Sequence, residues 1–155
     1  PDGGENGDAE AWMAQELKTR LEAITAHYEA MEFRKAAAET RALWAAGNEY
    51  LTKAEPWVKY KSDVDAAAVG VRTGLNLAAI FGIVAQPIIP EAAAMILDAL
   101  GIPEGNRNWP EAGDSSVLNA LPIGHEITPP DVLFRKIEDD NVADWTEKFG
   151  GEAGN

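Results

Sequence analysis

The stretch between Ser62 and Gln86 constrains the fold most. Val64, Ala67, Ala68, Val71, Leu75, Leu77, Ala78, Ile80, Phe81 and Val84 leave few polar positions on any side of a helix. A helix that is apolar nearly all round needs neighbours on most of its faces. The most apolar part, Gly74 to Pro90, contains Asn76, Gln86 and two prolines, and it falls short of the roughly 20 residues of a membrane span. The pattern predicts a buried middle helix over about 63–85 and no membrane partner. Ser62 is its expected side-chain cap, with Asp63 and Asp65 in the first turn.

The flanking segments supply the neighbours. Leu17, Leu21, Ile24, Tyr28 and Met31 recur at spacings of four, three, four and three, which is one apolar stripe on a helix from about Asp8 to Met31. Asp8 is its expected N-cap, with Glu10 in the first turn at the positive end of the dipole. Phe33, Ala36, Ala37, Thr40, Leu43, Trp44, Gly47, Tyr50 and Leu51 trace a second helical face over about 32–54. Gly47 costs about 1 kcal/mol of helix propensity against Ala, so a packing or ligand-approach reason for it is expected. Pro56 ends this helix, because it lacks a backbone donor and disfavours the helical conformation at Glu55. After the Pro87-Ile88-Ile89-Pro90 corner, Glu91 to Leu100 forms a short helix closed by Gly101.

From Ile102 the period is lost, and prolines and glycines recur through Gly124. Extended chain laid over the bundle is expected there, anchored by Trp109, Leu118, Leu121, Ile123 and Ile127. Val132 to Glu138 reads as a short extended element, and Asp139 to Lys148 as a helical turn or two. The fold class is all-α, a helical bundle with an irregular C-terminal wrap. Its parts are a flexible lead-in over 1–7, the bundle and closing segment over 8–138, and a tail over 139–155. The opening Pro1-Asp2-Gly3-Gly4, with no initiator methionine or signal pattern, reads as the start of a piece of a longer protein.

Several chemistries are excluded. The chain has no cysteine, so it holds no disulfide, thiolate zinc site or cysteine nucleophile; with the missing signal this points to the cytoplasm. His27 and His125, the two imidazoles, sit in no ligand-spaced motif and read as structural, His125 as a turn residue hydrogen-bonded to the chain. Gly70 and Gly74 lie inside a helix, where they cannot cradle a phosphate. Glu138-Asp139-Asp140 lacks calcium-loop spacing. No catalytic residue and no metal site is assigned.

One stretch departs from this plain reading. Trp57 follows the helix-ending Pro56 and is flanked by Lys53, Lys59 and Lys61, while Arg41 and Asn48 lie on the preceding helix. Single-stranded RNA binding needs an aromatic platform for unstacked bases, cations for phosphates and an amide for base edges. The competing reading has Trp57 plugging the end of the bundle and the lysines solvated. The net charge of −13 opposes RNA at long range. Eight of the thirteen basic residues nevertheless fall within the first 61 positions, and fifteen of the twenty-six acids follow them.

The pattern Asn48-x-Tyr50 followed by Pro56-Trp57, at the end of an amphipathic helix, resembles the anticodon-binding domain of methionyl-tRNA synthetases. Tyr28 to Phe33 resembles that family's helix joint, and Gly74-Leu75-Asn76-Leu77 with the Pro87–Pro90 corner its central helix. Trp109, Gly124-His125 and Leu133-Phe134-Arg135-Lys136-Ile137-Glu138 resemble its closing segment. Related class I synthetases share such bundles, and the Gly-His and Leu-Phe-x-Lys-Ile-Glu pieces choose methionine among them. The resemblance implies an anticodon-reading, RNA-binding site of Trp57, Asn48, Pro56, Lys53, Lys59 and Arg41, with Asn48 and Tyr50 either contacting RNA or bracing the corner. The implied partners are the tRNA(Met) anticodon loop and an upstream catalytic domain of the same chain. That domain would use ATP with Mg, and zinc in a family insertion; no cofactor is implied for these residues. The family's Asn-x-x-x-Arg helix has no counterpart here and is expected before residue 1. The alternatives are a non-catalytic interaction or scaffold bundle, which requires Trp57 to be buried, and the anticodon-binding domain of another class I synthetase.

Overall fold

The structure, a computed structural model, describes residues 4–130 and 132–151, with Ser115 described by its backbone alone. Residues 1–3 of the lead-in and 152–155 of the tail lie outside the described residues. The described chain is helical: α1 (Asp8–Glu29), α2 (Phe33–Ala54), α3 (Pro56–Lys59), α4 (Val64–Ala85), α5 (Pro90–Ala99) and α6 (Asp139–Phe149), with 3-10 turns at Glu104–Asn106 and Ser115–Asn119.

The stripe on α1 does what its spacing predicts. Met13, Leu17, Leu21 and Ile24 are buried against Leu43, Ala46 and Tyr50 of α2 and Leu77, Ile80 and Val84 of α4. Arg20 pairs with Glu39 at 2.8 Å, and Tyr50 bonds Glu10, so α1 and α2 run antiparallel. The close approach at Gly47 has a packing cause: a Cβ there would lie 2.4 Å from Cζ of Phe81, whose ring on α4 covers the position. α5 packs back on α4, where Gly82 meets Leu97.

Two caps differ from expectation. Gly7, not Asp8, is the N-cap of α1, and the Glu10 carboxylate accepts from its N–H at 2.7 Å. Asp63, not Ser62, caps α4, its Oδ1 accepting from the Ala66 N–H at 3.0 Å. At α4 the charged Asp63 acceptor makes a stronger bond than the Ser62 hydroxyl could, while at α1 the acceptor is Glu10, reaching back from the first turn to the Gly7 N–H. The α1 stripe also stops early. Met31 adopts a left-handed conformation (φ 59°) at the turn, and Met31 and Phe33 face outward.

After α5, Arg107 ties the chain down by donating to the Ile102 carbonyl and Asp98. Trp109 donates its Nε1–H to Thr25 at 2.9 Å and meets the Tyr28 ring edge-on, 5.8 Å between centroids. Leu118 is buried as an anchor, but Ile123 and Ile127 are exposed. What holds this stretch is polar: buried Asn76 accepts from the Leu121 N–H at 2.9 Å and donates to the Arg72 carbonyl. No strand forms over Val132–Glu138 among the described residues, since no neighbouring strand offers it a ladder. α6 is longer than the turn or two expected, and none of its side chains is buried.

Candidate nucleic-acid interface

α2 ends because Glu55 turns left-handed (φ 44°, ψ 49°) while its N–H still donates to the Leu51 carbonyl at 3.0 Å. Pro56 then occupies the first position of α3, where its missing N–H costs nothing. Gly70 lets α4 come up against this bend, and a Cβ there would lie 3.2 Å from Pro56 Cβ. Pro56 is therefore buried. Grouped by the resemblance with the RNA-contacting residues, it instead holds the corner from behind.

Trp57 is 59% exposed, so the burial that a scaffold bundle requires is absent. Its indole and Tyr60, one helical turn on, border a cavity of about 570 Å³ between α3, α4 and the segment 121–125. The walls are mostly apolar, with Val64, Val71 and Leu75 from α4 and Ile123 opposite. Besides the Tyr60 hydroxyl, the polar lining residues are Arg72, Asn76 and His125. His125 bonds the Leu100 carbonyl through Nε2, which fixes the proton of the neutral ring on that nitrogen. The turn role expected of His125 is met, and the residue also faces the cavity.

The cations expected around Trp57 are arranged differently. Lys53 pairs with Glu49 at 2.8 Å and sits over the Trp12 ring, 3.5 Å from its centroid. Lys59 is half-buried, and its charge acts on Glu10. Both thus serve the junction of α1 with the corner, and neither lines the cavity. Asn48 is exposed on α2, on the same face as Arg41 seven residues earlier. At about 1.5 Å per residue Arg41 stands about 20 Å from the end of α2, beyond the reach of one base at Trp57.

Beneath the corner lies a buried polar pair. The fully buried Tyr50 donates its hydroxyl to Glu10 at 2.6 Å. Burial would raise the Glu10 carboxyl, but the bonds from Tyr50 and Gly7, with the Lys59 charge, hold it below its ordinary value. Burial, reinforced by the Glu10 carboxylate, pushes the Tyr50 phenol well above its own. Tyr50 is a brace and touches no solvent.

Sequence reasoning missed Tyr60 and Arg72. The signal was present for Tyr60, which follows Trp57 at helical spacing, but Arg72 is one cation amid an apolar helix and carries no pattern. No group of three or more His, Asp or Glu able to hold a metal ion exists among the described residues.

A family model described as the anticodon binding domain of methionyl tRNA ligase matches residues 1–154. The methionine–tRNA ligase of Hyphomonas neptunium is 69% identical, the match covering 97% of this chain and 27% of the relative. That of Maricaulis maris is 71% identical with the same coverage. Among solved structures, the apo form (free-state) of Mycobacterium tuberculosis methionyl-tRNA synthetase superposes with a TM-score of 0.71 at 26% identity, over 89% of this chain and 28% of that one. The chain spans about a quarter of the length of the relatives it matches.

Proposed function

The chain belongs to the family of the anticodon binding domain of methionyl tRNA ligase, and from that premise we propose that it reads the anticodon loop of tRNA(Met) by stacking a loop base on Trp57. The full-length protein is then a methionine–tRNA ligase that attaches methionine to this tRNA with ATP and Mg. No step of that chemistry is assigned to these residues.

The observation that carries the reading is the exposed indole just after the left-handed corner at Glu55, beside an open apolar cavity. An exposed ring face is open to a base, and base–aromatic stacking is worth about 1–3 kcal/mol. Lys61 and Asn48, both exposed, are available to phosphates and base edges around it.

Trp57→Ala in the full-length protein is expected to weaken binding of a tRNA(Met) anticodon stem-loop by about 1–3 kcal/mol. Charging of tRNA should fall accordingly, with methionine activation left near its starting level. Fluorescence gives a second readout: with Trp12, Trp44, Trp109 and Trp145 replaced, the stem-loop should quench the remaining indole. Unchanged charging by the alanine variant would defeat the reading.

A further inference from the structure

We propose that Arg72 reads the edge of the base that stacks on Trp57, the base entering the cavity between α3 and α4 edge-first. The inference rests on the reading above and adds to it a specificity residue on α4.

Arg72 lines the same cavity as Trp57 and Tyr60. Its Nε is buried and without a hydrogen-bond partner among the described residues, and no carboxylate there lies within ion-pairing distance of its guanidinium. Such a donor is costly to bury unless something completes it. Its neighbours show that the space is not simply loose. Asn76, one turn on, spends its amide on the Arg72 carbonyl and the Leu121 N–H, and the His125 Nε2–H is taken by Leu100. Arg72 is thus the lining side chain whose unused donor is buried, since the other lining donors without a partner, on Trp57 and Tyr60, belong to exposed residues.

The shape and chemistry of the vacancy select the occupant. A cavity of about 570 Å³ is the size of a small-ligand site and accepts a base with part of its sugar. Apolar walls at Val71, Leu75 and Ile123 suit a flat ring, not a phosphate, which would need several donors. A guanidinium presents two parallel N–H groups in one plane, which match two adjacent acceptors on a base edge.

The test compares the tRNA(Met) anticodon stem-loop with copies carrying a single abasic site at each loop position, bound to the full-length protein and its variants. In the unaltered protein one abasic position should be much costlier than the rest. Arg72→Met should lower affinity for the intact loop about tenfold and shrink the cost of that abasic site by a similar factor. Arg72→Lys should recover little, because an ammonium lacks the planar fork. Val71→Trp fills the cavity from a side chain that is already 51% exposed, so folding is spared, and it should reproduce the loss. Equal abasic costs in the Met variant and the unaltered protein would overturn the inference. So would an affinity loss accompanied by a salt slope smaller by about 0.7, which would mark Arg72 as a phosphate contact. If Arg72→Met and Val71→Trp bind normally while Trp57→Ala does not, this inference alone falls. Normal binding by Trp57→Ala brings down the underlying reading as well.

Discussion

Tyr50 and Glu10 are forty residues apart in sequence and 2.6 Å apart at their oxygens. Tyr50→Phe leaves a buried carboxylate short of a donor, so a stability loss of about 1–3 kcal/mol in denaturant unfolding is expected. The pair also sets the pH response. Glu10 is lowered in the folded state, so the fold binds fewer protons than the unfolded chain through the carboxylate range, and stability falls as pH drops through it. Tyr50 is raised, so its contribution is present below about pH 10 and is lost as pH climbs above that. Melting temperatures across pH should show the acid limb flattened in Glu10→Gln and the alkaline limb flattened in Tyr50→Phe. Tyr50 was legible from its helical stripe and its place in the family pattern. Its partner was not, because a carboxylate in a first helical turn already has an adequate explanation in the helix dipole, and nothing local tells which distant hydroxyl will reach it. The partners of Lys53 and Lys59 were not legible for a related reason: sequence proximity to Trp57 says nothing about the side of the helix on which Glu49, Trp12 and Glu10 wait.

Between elements, close contact is set by what is missing. Gly47→Ala gains helix propensity of about 1 kcal/mol, yet its methyl enters the Phe81 ring, and overpacking of this kind costs about 1–3 kcal/mol. A net loss is expected by thermal unfolding, and the double variant with Phe81→Leu should recover part of it, a coupling that a mutant cycle measures. The closing segment is held instead by one amide. Asn76→Ala removes the acceptor of the Leu121 N–H, so amide exchange there should accelerate while α1 and α2 stay protected. The helices themselves were readable because periodicity is a dense local signal, repeated turn after turn. The wrap after Ile102 was readable only as irregular, since single contacts such as Asn76 to Leu121 leave no periodic trace. Ile123 and Ile127 show the cost of counting apolar residues there: without a period, hydrophobicity does not tell inside from outside.

For the molecule as a whole, the net charge of −13 and the cavity beside Trp57 favour recognition through bases over phosphates. Single-strand contacts contribute a slope of about −0.7 per phosphate, so binding of the stem-loop should lose affinity with salt along a slope of about −2 or shallower. A slope several times steeper would assign the energy to the phosphate chain. All of this hangs from Glu55, a residue with a side chain held where glycine is most at ease. Glycine at that point would relax the backbone and leave the fold a little harder to melt. It would also let the indole wander over a wider cone, so that each base caught has more motion to quench. A sturdier molecule would then be a poorer reader, the two properties pulling against each other across a single peptide unit.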